Sequence, residues 1–239
     1  GEIREIHVRL GEFPQPEYTP GREVPDGFDY DRWLGPAPWR PYHPDVVRGV
    51  FGGGWRLYWD FGCRKFGDWG AHHYDIALWA LGRSGEFPVE FTGAGTGDGF
   101  AWFRFRDGLR IVRDNPAQLD GYMMHFIGSE GELWVDRRQP MRTKPGSLLG
   151  MALASSDTRL PYCFGGHRED WLNAIESRGA TVAPASDGAH SAQVCVLHSI
   201  AARLGQRLQV DPASGLIENI PDANSYLSKL NRDGYELTL

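Results

Sequence analysis

Residues 67–82 read Gly67-Asp-Trp-Gly-Ala-His-His-Tyr-Asp-Ile-Ala-Leu-Trp-Ala-Leu-Gly82. The spacing predicts a helix over this stretch. Asp68, His72 and Asp75 fall at i, i+4 and i+7, so on a helix of 3.6 residues per turn they share one face. Ile76, Leu78, Trp79 and Leu81 continue it as a core-packing segment, and Gly82 supplies the C-terminal stop. A carboxylate, an imidazole and a second carboxylate on one stripe are the groups that general acid–base chemistry requires. An Asp–His pair at this spacing also describes an ordinary surface ion pair, stabilising by about 0.2–0.5 kcal/mol. Two features favour a site. Asp68, His72, His73 and Asp75 crowd together among Trp69, Tyr74 and Trp79, and the flexible run Gly62-Cys-Arg-Lys-Phe-Gly67 leads into them.

Outward from this helix the pattern is strand, long loop, helix, strands, helices. Residues 2–10 alternate at Ile6, Val8 and Leu10 and read as a strand. Residues 11–45 form a Pro- and Gly-rich loop carrying Phe13, Tyr18, Phe28, Tyr30, Trp33, Trp39 and Tyr42, too aromatic for disorder. Residues 55–61 read as extended. Strands are expected at 88–94, 100–106, 108–113, 121–127 and 131–136, with hairpin turns at Arg106-Asp-Gly108 and Gly128-Ser-Glu-Gly131. A second irregular loop covers 139–166. Helices follow at 167–178, with Trp171, Leu172 and Ile175 at helical spacing, at 188–204 ending on Gly205, and at 222–230 in the tail. The order implies an α+β class, an open and mainly antiparallel sheet with helices packed on one face, in one domain spanning 1–239.

Composition removes several function classes. The chain has 239 residues and a formal charge of −6, with no long basic run, which argues against a nucleic-acid or anionic-membrane binder. No apolar stretch reaches transmembrane length and no N-terminal signal is visible, so a cytoplasmic location is expected. Cys63, Cys163 and Cys195 cannot all pair and lack Cys-x-x-Cys spacing, which fits a reducing compartment and neither a disulfide scaffold nor a zinc knuckle. The run Gly93-Ala-Gly-Thr-Gly-Asp-Gly99 has G-x-G-x-G-x-G spacing and leads into a strand. A dinucleotide loop needs G-x-G-x-x-G between a strand and a helix, so this run reads as a hairpin connection. Gly52-Gly-Gly54 also precedes a strand-like run, and no Walker-type Gly-Lys-Ser/Thr appears.

The run from Asp68 to Trp79 resembles the catalytic helix of the Gfo/Idh/MocA oxidoreductases, nicotinamide-dependent dehydrogenases acting mostly on sugars and polyols. Trp33-Leu-Gly-Pro-Ala-Pro-Trp39, Phe126-Ile-Gly-Ser-Glu-Gly-Glu-Leu-Trp-Val-Asp-Arg137, His167-Arg-Glu-Asp-Trp-Leu-Asn-Ala-Ile-Glu-Ser-Arg178 and the helix from Ala189 to Gly205 agree with it in order. The resemblance implies that His72 is the acid–base group on the substrate hydroxyl, that Asp68 orients substrate or His72, and that Asp75 contacts substrate hydroxyls. It also implies a preceding Rossmann domain of about 120 residues, with a cofactor loop and a Glu-Lys-Pro motif. This sequence contains neither. NAD(P) is therefore implied only by the resemblance, and no cofactor is expected on this chain alone.

The other candidates carry two readings each. His73 faces about 100° from His72, toward the site wall or the core. Arg64 and Lys65 precede the helix as solvated charges, as holders of an acidic substrate, or as replacements for the absent lysine. His125 lies in a strand and faces core or site, while His167 and His190 open helices and either cap them or touch substrate. Asp68, His72, His73, His125 and His190 include enough donors for a metal, but the spacing is poor and none is expected. Three functions follow: the substrate half of a sugar oxidoreductase completed by a Rossmann-domain partner; a cofactor-free or metal-assisted lyase or epimerase on keto-sugars; or a non-catalytic sugar-binding or assembly subunit. A homo-oligomer through the sheet, and no nucleic-acid or membrane partner, are expected.

Overall fold

In the computed structural model, residues 17, 18, 50–52, 96–98, 153, 156–160, 230 and 236–239 lie outside the described part of the chain. Tyr18, Gly52 and the centre of the Gly93–Gly99 run are among them. In chain order the strands are β1 (Ile3–Val8), β2 (Glu90–Thr92), β3 (Trp102–Arg104), β4 (Arg110–Arg113), β5 (Met124–Gly128), β6 (Glu132–Val135), β7 (Arg142–Lys144) and β8 (Leu208–Gln209). They form one sheet in the order β7-β6-β5-β1-β4-β3-β2-β8. Neighbours are antiparallel except β1 and β4.

Alternation builds the core face. Pairing sets Leu208, Phe91, Phe103, Ile111, Ile6, Phe126 and Leu133 side by side in one row across seven strands. Successive strand side chains point to opposite faces, so a slip of one residue would send this row to the outer surface. The outer face carries Arg142, Trp134, His125, His7, Val112, Trp102 and Thr92 in the neighbouring row. There His125 stacks on Trp134 at 4.0 Å between ring centroids, Arg142 covers the other side of the indole, and Glu132 and Glu5 accept from His125 and His7.

The helices are α1 (Tyr30–Leu34), α2 (Pro44–Val47), α3 (Arg64–Asp68), α4 (Gly70–Leu81), α5 (Pro116–Leu119), α6 (Gly166–Ser177) and α7 (Ala185–Leu204). α4 and α7 cover the core face. Tyr74 and Leu78 of α4 and Val194, Leu197 and Ala201 of α7 are fully or almost fully buried against the phenylalanine row. His198 of α7 ties three elements together. Its Nδ1 accepts from the Tyr74 hydroxyl at 2.8 Å, and its Nε2 donates to the Thr92 carbonyl of β2 at 3.1 Å. Two glycines permit this closeness. A Cβ at Gly70 would sit 3.2 Å from Cys195 Sγ, and one at Gly93 would sit 3.0 Å from backbone atoms of Ala201 and Ala202.

The sheet, its strand order of sequence and the helices on one face agree with the sequence reading. Local differences have physical causes. The loop expected at 11–45 contains α1 and the start of α2, and Tyr30 and Leu34 of α1 make a small separate core with Tyr42 from the segment between the two helices. Residues 55–61 are not extended: Gly54–Leu57 forms a 3-10 turn, because Gly54 at φ 61° reverses the chain where a Cβ would strike the Arg48 carbonyl. The loop at 139–166 contributes β7 and a 3-10 turn at Gly146–Gly150, and the tail helix is a 3-10 turn at Pro221–Tyr226. The expected helix over 67–82 is broken. Trp69 separates α3 from α4, between Gly67 and Gly70, and Gly82 in the left-handed conformation ends α4 as expected.

Two expectations about stability follow. Gly93→Ala forces α7 away from β2 and should lower stability by about 1–3 kcal/mol, read as a reduced urea midpoint at unchanged slope. Burial pushes His198 down to about 3 and His73 to about 4, each from 6.5. Between about pH 6.5 and 4 the unfolded chain therefore takes up protons that the folded chain refuses, and stability falls as pH falls through that window. His198→Asn should flatten this slope, measured by urea midpoints at pH 7 and pH 5.

Candidate functional site

The break at Trp69 decides the geometry of the candidate site. Lys65 and Asp68 belong to α3, His72 and His73 to α4, and the indole lies between them. The His72 ring is 5.7 Å and the His73 ring 5.3 Å from the Trp69 ring. Lys65 Nζ is 5.7 Å from its centroid and the Arg137 guanidinium 5.2 Å. Two imidazoles and two cations thus surround one aromatic ring, the arrangement that a cation–π attraction favours.

Asp68 and His72 do not pair; no ion pair or hydrogen bond joins them. The Asp68 carboxylate lies 3.8 Å from Arg56 Nε and 4.0 Å from Lys65 Nζ. It lines a small cavity of about 220 Å³ with Phe13, Trp55, Arg56, Cys63 and Arg64. His72 is exposed, with its ring beside Trp69. An unbroken helix would have stacked the two; the turn at Trp69 gives them different neighbours. His73 is buried. Its Nδ1 donates to the Arg9 carbonyl at 2.6 Å, and its Nε2 is enclosed without a partner among the described residues. Burial, opposed by that carbonyl, holds it neutral down to about pH 4.

Several candidates sit elsewhere. Arg64 is not a surface charge: it is buried, and its guanidinium donates to the carbonyls of Leu57, Phe13 and Pro14 and to Glu12. It clamps the segment after β1 onto α3. His125 faces the outer side of the sheet, stacked on Trp134 and bonded to Glu132, away from α4. His190 is buried in α7 with its ring 4.6 Å from Phe87. Asp75 and His167 share a cavity of about 660 Å³ between α4, α6 and the start of α7. The Ser191 hydroxyl donates to Asp75 Oδ1 at 2.7 Å. Trp69, Arg137 and Arg56 were not singled out from the sequence for a role at the site. The signal for Trp69 was its place between two glycines at a helix start, whereas Arg137 and Arg56 arrive from distant segments and left none.

The described residues do not fit a dinucleotide. The Gly93–Gly99 run joins β2 to β3, an antiparallel pair in which Thr92 faces Trp102, so no helix N-terminus follows it to meet a pyrophosphate. The sole parallel pair among the described strands, β1 and β4, is not linked by a simple strand–helix–strand crossover, since two intervening strands belong to the same sheet. Among the described residues no group of three or more His, Cys, Asp or Glu side chains gathers as metal ligands, and no helix is long and apolar enough to cross a membrane.

The placement of the histidines is directly measurable. Diethylpyrocarbonate should modify His72 and His167 first in the folded chain. His7, His43, His73, His125, His190 and His198, all buried, should react only on unfolding, as read by peptide mass spectrometry.

A family model described as the oxidoreductase family, C-terminal alpha/beta domain, in its Gfo/Idh/MocA form, matches residues 15–237. No curated protein matches the chain. Among solved structures, the aldose-aldose oxidoreductase from Caulobacter crescentus complexed with glycerol is 17% identical, with 88% of this chain and 56% of that chain covered and a TM-score of 0.44. Levoglucosan dehydrogenase in complex with NADH and levoglucosan is 15% identical, covering 87% and 59%, with a TM-score of 0.43. GenD2 from gentamicin A biosynthesis in complex with NAD is 13% identical, covering 88% and 56%, with a TM-score of 0.42. The chain thus spans a little under three fifths of the length of these proteins. With the family model covering nearly all of its sequence, this chain belongs to the Gfo/Idh/MocA oxidoreductase family, as its C-terminal alpha/beta domain.

Proposed function

We propose that this chain is the substrate-holding part of a nicotinamide-dependent oxidoreductase acting on a sugar or polyol, with His72 as the group that carries the substrate proton. The observation that carries the reading is the exposed imidazole of His72 beside the Trp69 indole, with Lys65 and Arg137 against the same ring, in a chain of an oxidoreductase family.

The chemistry of this surface is proton handling. A hydroxyl laid against Trp69 and reaching His72 gives up its proton to the imidazole as the C–O bond takes on carbonyl character. In the reverse direction the imidazolium returns it. Lys65 and Arg137 place positive charge where the oxygen becomes anionic, which stabilises charge that develops only in the transition state. Asp68 acts on this set indirectly: it lies against Lys65 and Arg56 and fixes the cationic rim. The hydride belongs to the nicotinamide chemistry of the family. The described residues offer it no cradle, and on this reading the coenzyme is held outside residues 1–239.

Two measurements test this. Calorimetric titration of the chain with NADH should show no binding, while a panel of sugars and polyols should quench tryptophan fluorescence in a manner lost in Trp69→Phe. In protein that also carries the coenzyme-binding unit, His72→Ala should lower kcat by about 10²–10⁴-fold with a much smaller change in KM. Tight NADH binding by the chain alone, or full turnover by the His72→Ala variant, contradicts the reading.

A further inference from the structure

A roomy cavity opens along α4, the helix that carries His72. Its floor is one face of α4, formed by Ala71, Asp75 and Trp79 at i, i+4 and i+8. Ala71 directly precedes His72 and Asp75 follows it by three residues, so the cavity runs along the same helix that carries the exposed imidazole. From His72 to Trp79 the helix advances about 10 Å, at 1.5 Å per residue. That distance carries the cavity well past the hydroxyl on which His72 would act.

The walls are built rather than accidental. One wall is the start of α7, with Asp187, Gly188 and Ser191; the small side chains there and at Ala71 leave the space open. The opposite wall is Tyr162, Cys163 and His167 at the start of α6. The segment entering α7 is tied to α6 because the Val182 N–H donates to Asp170 Oδ2 at 3.0 Å. The Gly166 N–H donates to the Cys163 carbonyl at 3.2 Å, closing the turn that presents Tyr162 and His167.

The lining combines flat aromatic faces with hydroxyl-binding groups. Trp79 and Tyr162 are both exposed aromatics. Asp75 lines the same cavity, with its Oδ1 oriented by the Ser191 hydroxyl. Its other oxygen has no partner among the described residues. A carboxylate accepts several hydrogen bonds and donates none, and an aromatic ring offers a face on which a flat ring packs. A cavity of about 660 Å³ falls in the range of small-molecule sites, and it has room beyond the single ring that His72 would address.

We propose that this cavity is a second sugar-binding position, continuous with His72, so that the substrate is a glycoside or disaccharide rather than a free monosaccharide. The inference rests on the reading of His72 as the proton-carrying group. One ring lies at His72 and Trp69. The attached ring lies along α4, packed on Trp79 and Tyr162, with its hydroxyls donating to Asp75.

The test uses the 239-residue chain and three probes: glucose, maltose and cellobiose, titrated by saturation-transfer NMR and calorimetry. At least one disaccharide should bind ten-fold or more tightly than glucose. Trp79→Ala and Tyr162→Ala should each bring that disaccharide to the level of glucose without weakening glucose itself; circular dichroism establishes that both variants fold. Equal binding of glucose and both disaccharides, no binding of either disaccharide, or a preference that survives both substitutions overturns the proposal. His72→Ala, assayed for turnover in protein that also carries the coenzyme-binding unit, separates this proposal from the reading beneath it. Where that variant keeps full turnover and the disaccharide preference persists, the acid–base reading falls and the second position stands. Where turnover is lost and no disaccharide preference exists, the second position falls alone.

Discussion

The hydrogen-bonded chain from the Tyr74 hydroxyl through the His198 ring to the Thr92 carbonyl is the contact on which the site depends. It lies in the interior, where an unmade hydrogen bond costs about 1–3 kcal/mol, and each member is satisfied by the next. It fixes the neutral tautomer of His198 and, through it, the spacing of α4, α7 and β2. Everything that α4 presents to solvent, from His72 to Trp79, is positioned from this buried anchor one turn beneath. The phenylalanine row of the sheet supplies the apolar bed, and Gly70 and Gly93 allow the helices to settle on it.

A rigid bed makes the interruption at Trp69 more consequential. Because α4 cannot shift, the direction of α3 is set by the turn alone, and Arg64 locks it by binding the carbonyls of the segment that follows β1. Asp68 consequently turns toward Arg56 and Lys65. The carboxylate and the imidazole thus have separate surroundings, one against two cations and one exposed beside the indole. An indole with cations and imidazoles around it is a polar surface with an apolar centre, which suits a ligand that is itself hydroxylated at its edges and apolar on its faces.

The two candidate regions are consecutive segments of one helix surface. α4 presents the proposed proton carrier, His72, and its residues Ala71, Asp75 and Trp79 line a cavity together with residues of α6 and α7. On the proposed reading, proton transfer and ring binding are registered to each other by a single rigid element, in which a displacement of one is a displacement of the other. This is how a fold places chemistry and specificity at a fixed separation without a dedicated linker.

How much of this was legible in the sequence depended on the range of the interaction. Period-two alternation at Ile6 and Val8, and around Phe103 and Ile111, announced the sheet, and the ends of α4 and α7 at Gly82 and Gly205 announced themselves because a left-handed residue is a local requirement. The short motifs also revealed the family and drew attention to Asp68, His72 and Asp75. Sequence did not reveal that Arg64 is buried, that His125 and His190 serve the sheet and the core, or that Arg137 and Arg56 reach the α3–α4 joint. Helical spacing placed Asp68 and His72 on one stripe, yet one turn at Trp69 parted them. Local sequence fixes which backbone conformations are cheap; which side chains then meet is decided by long-range packing, since burial and pairing depend on atoms that lie far apart along the chain.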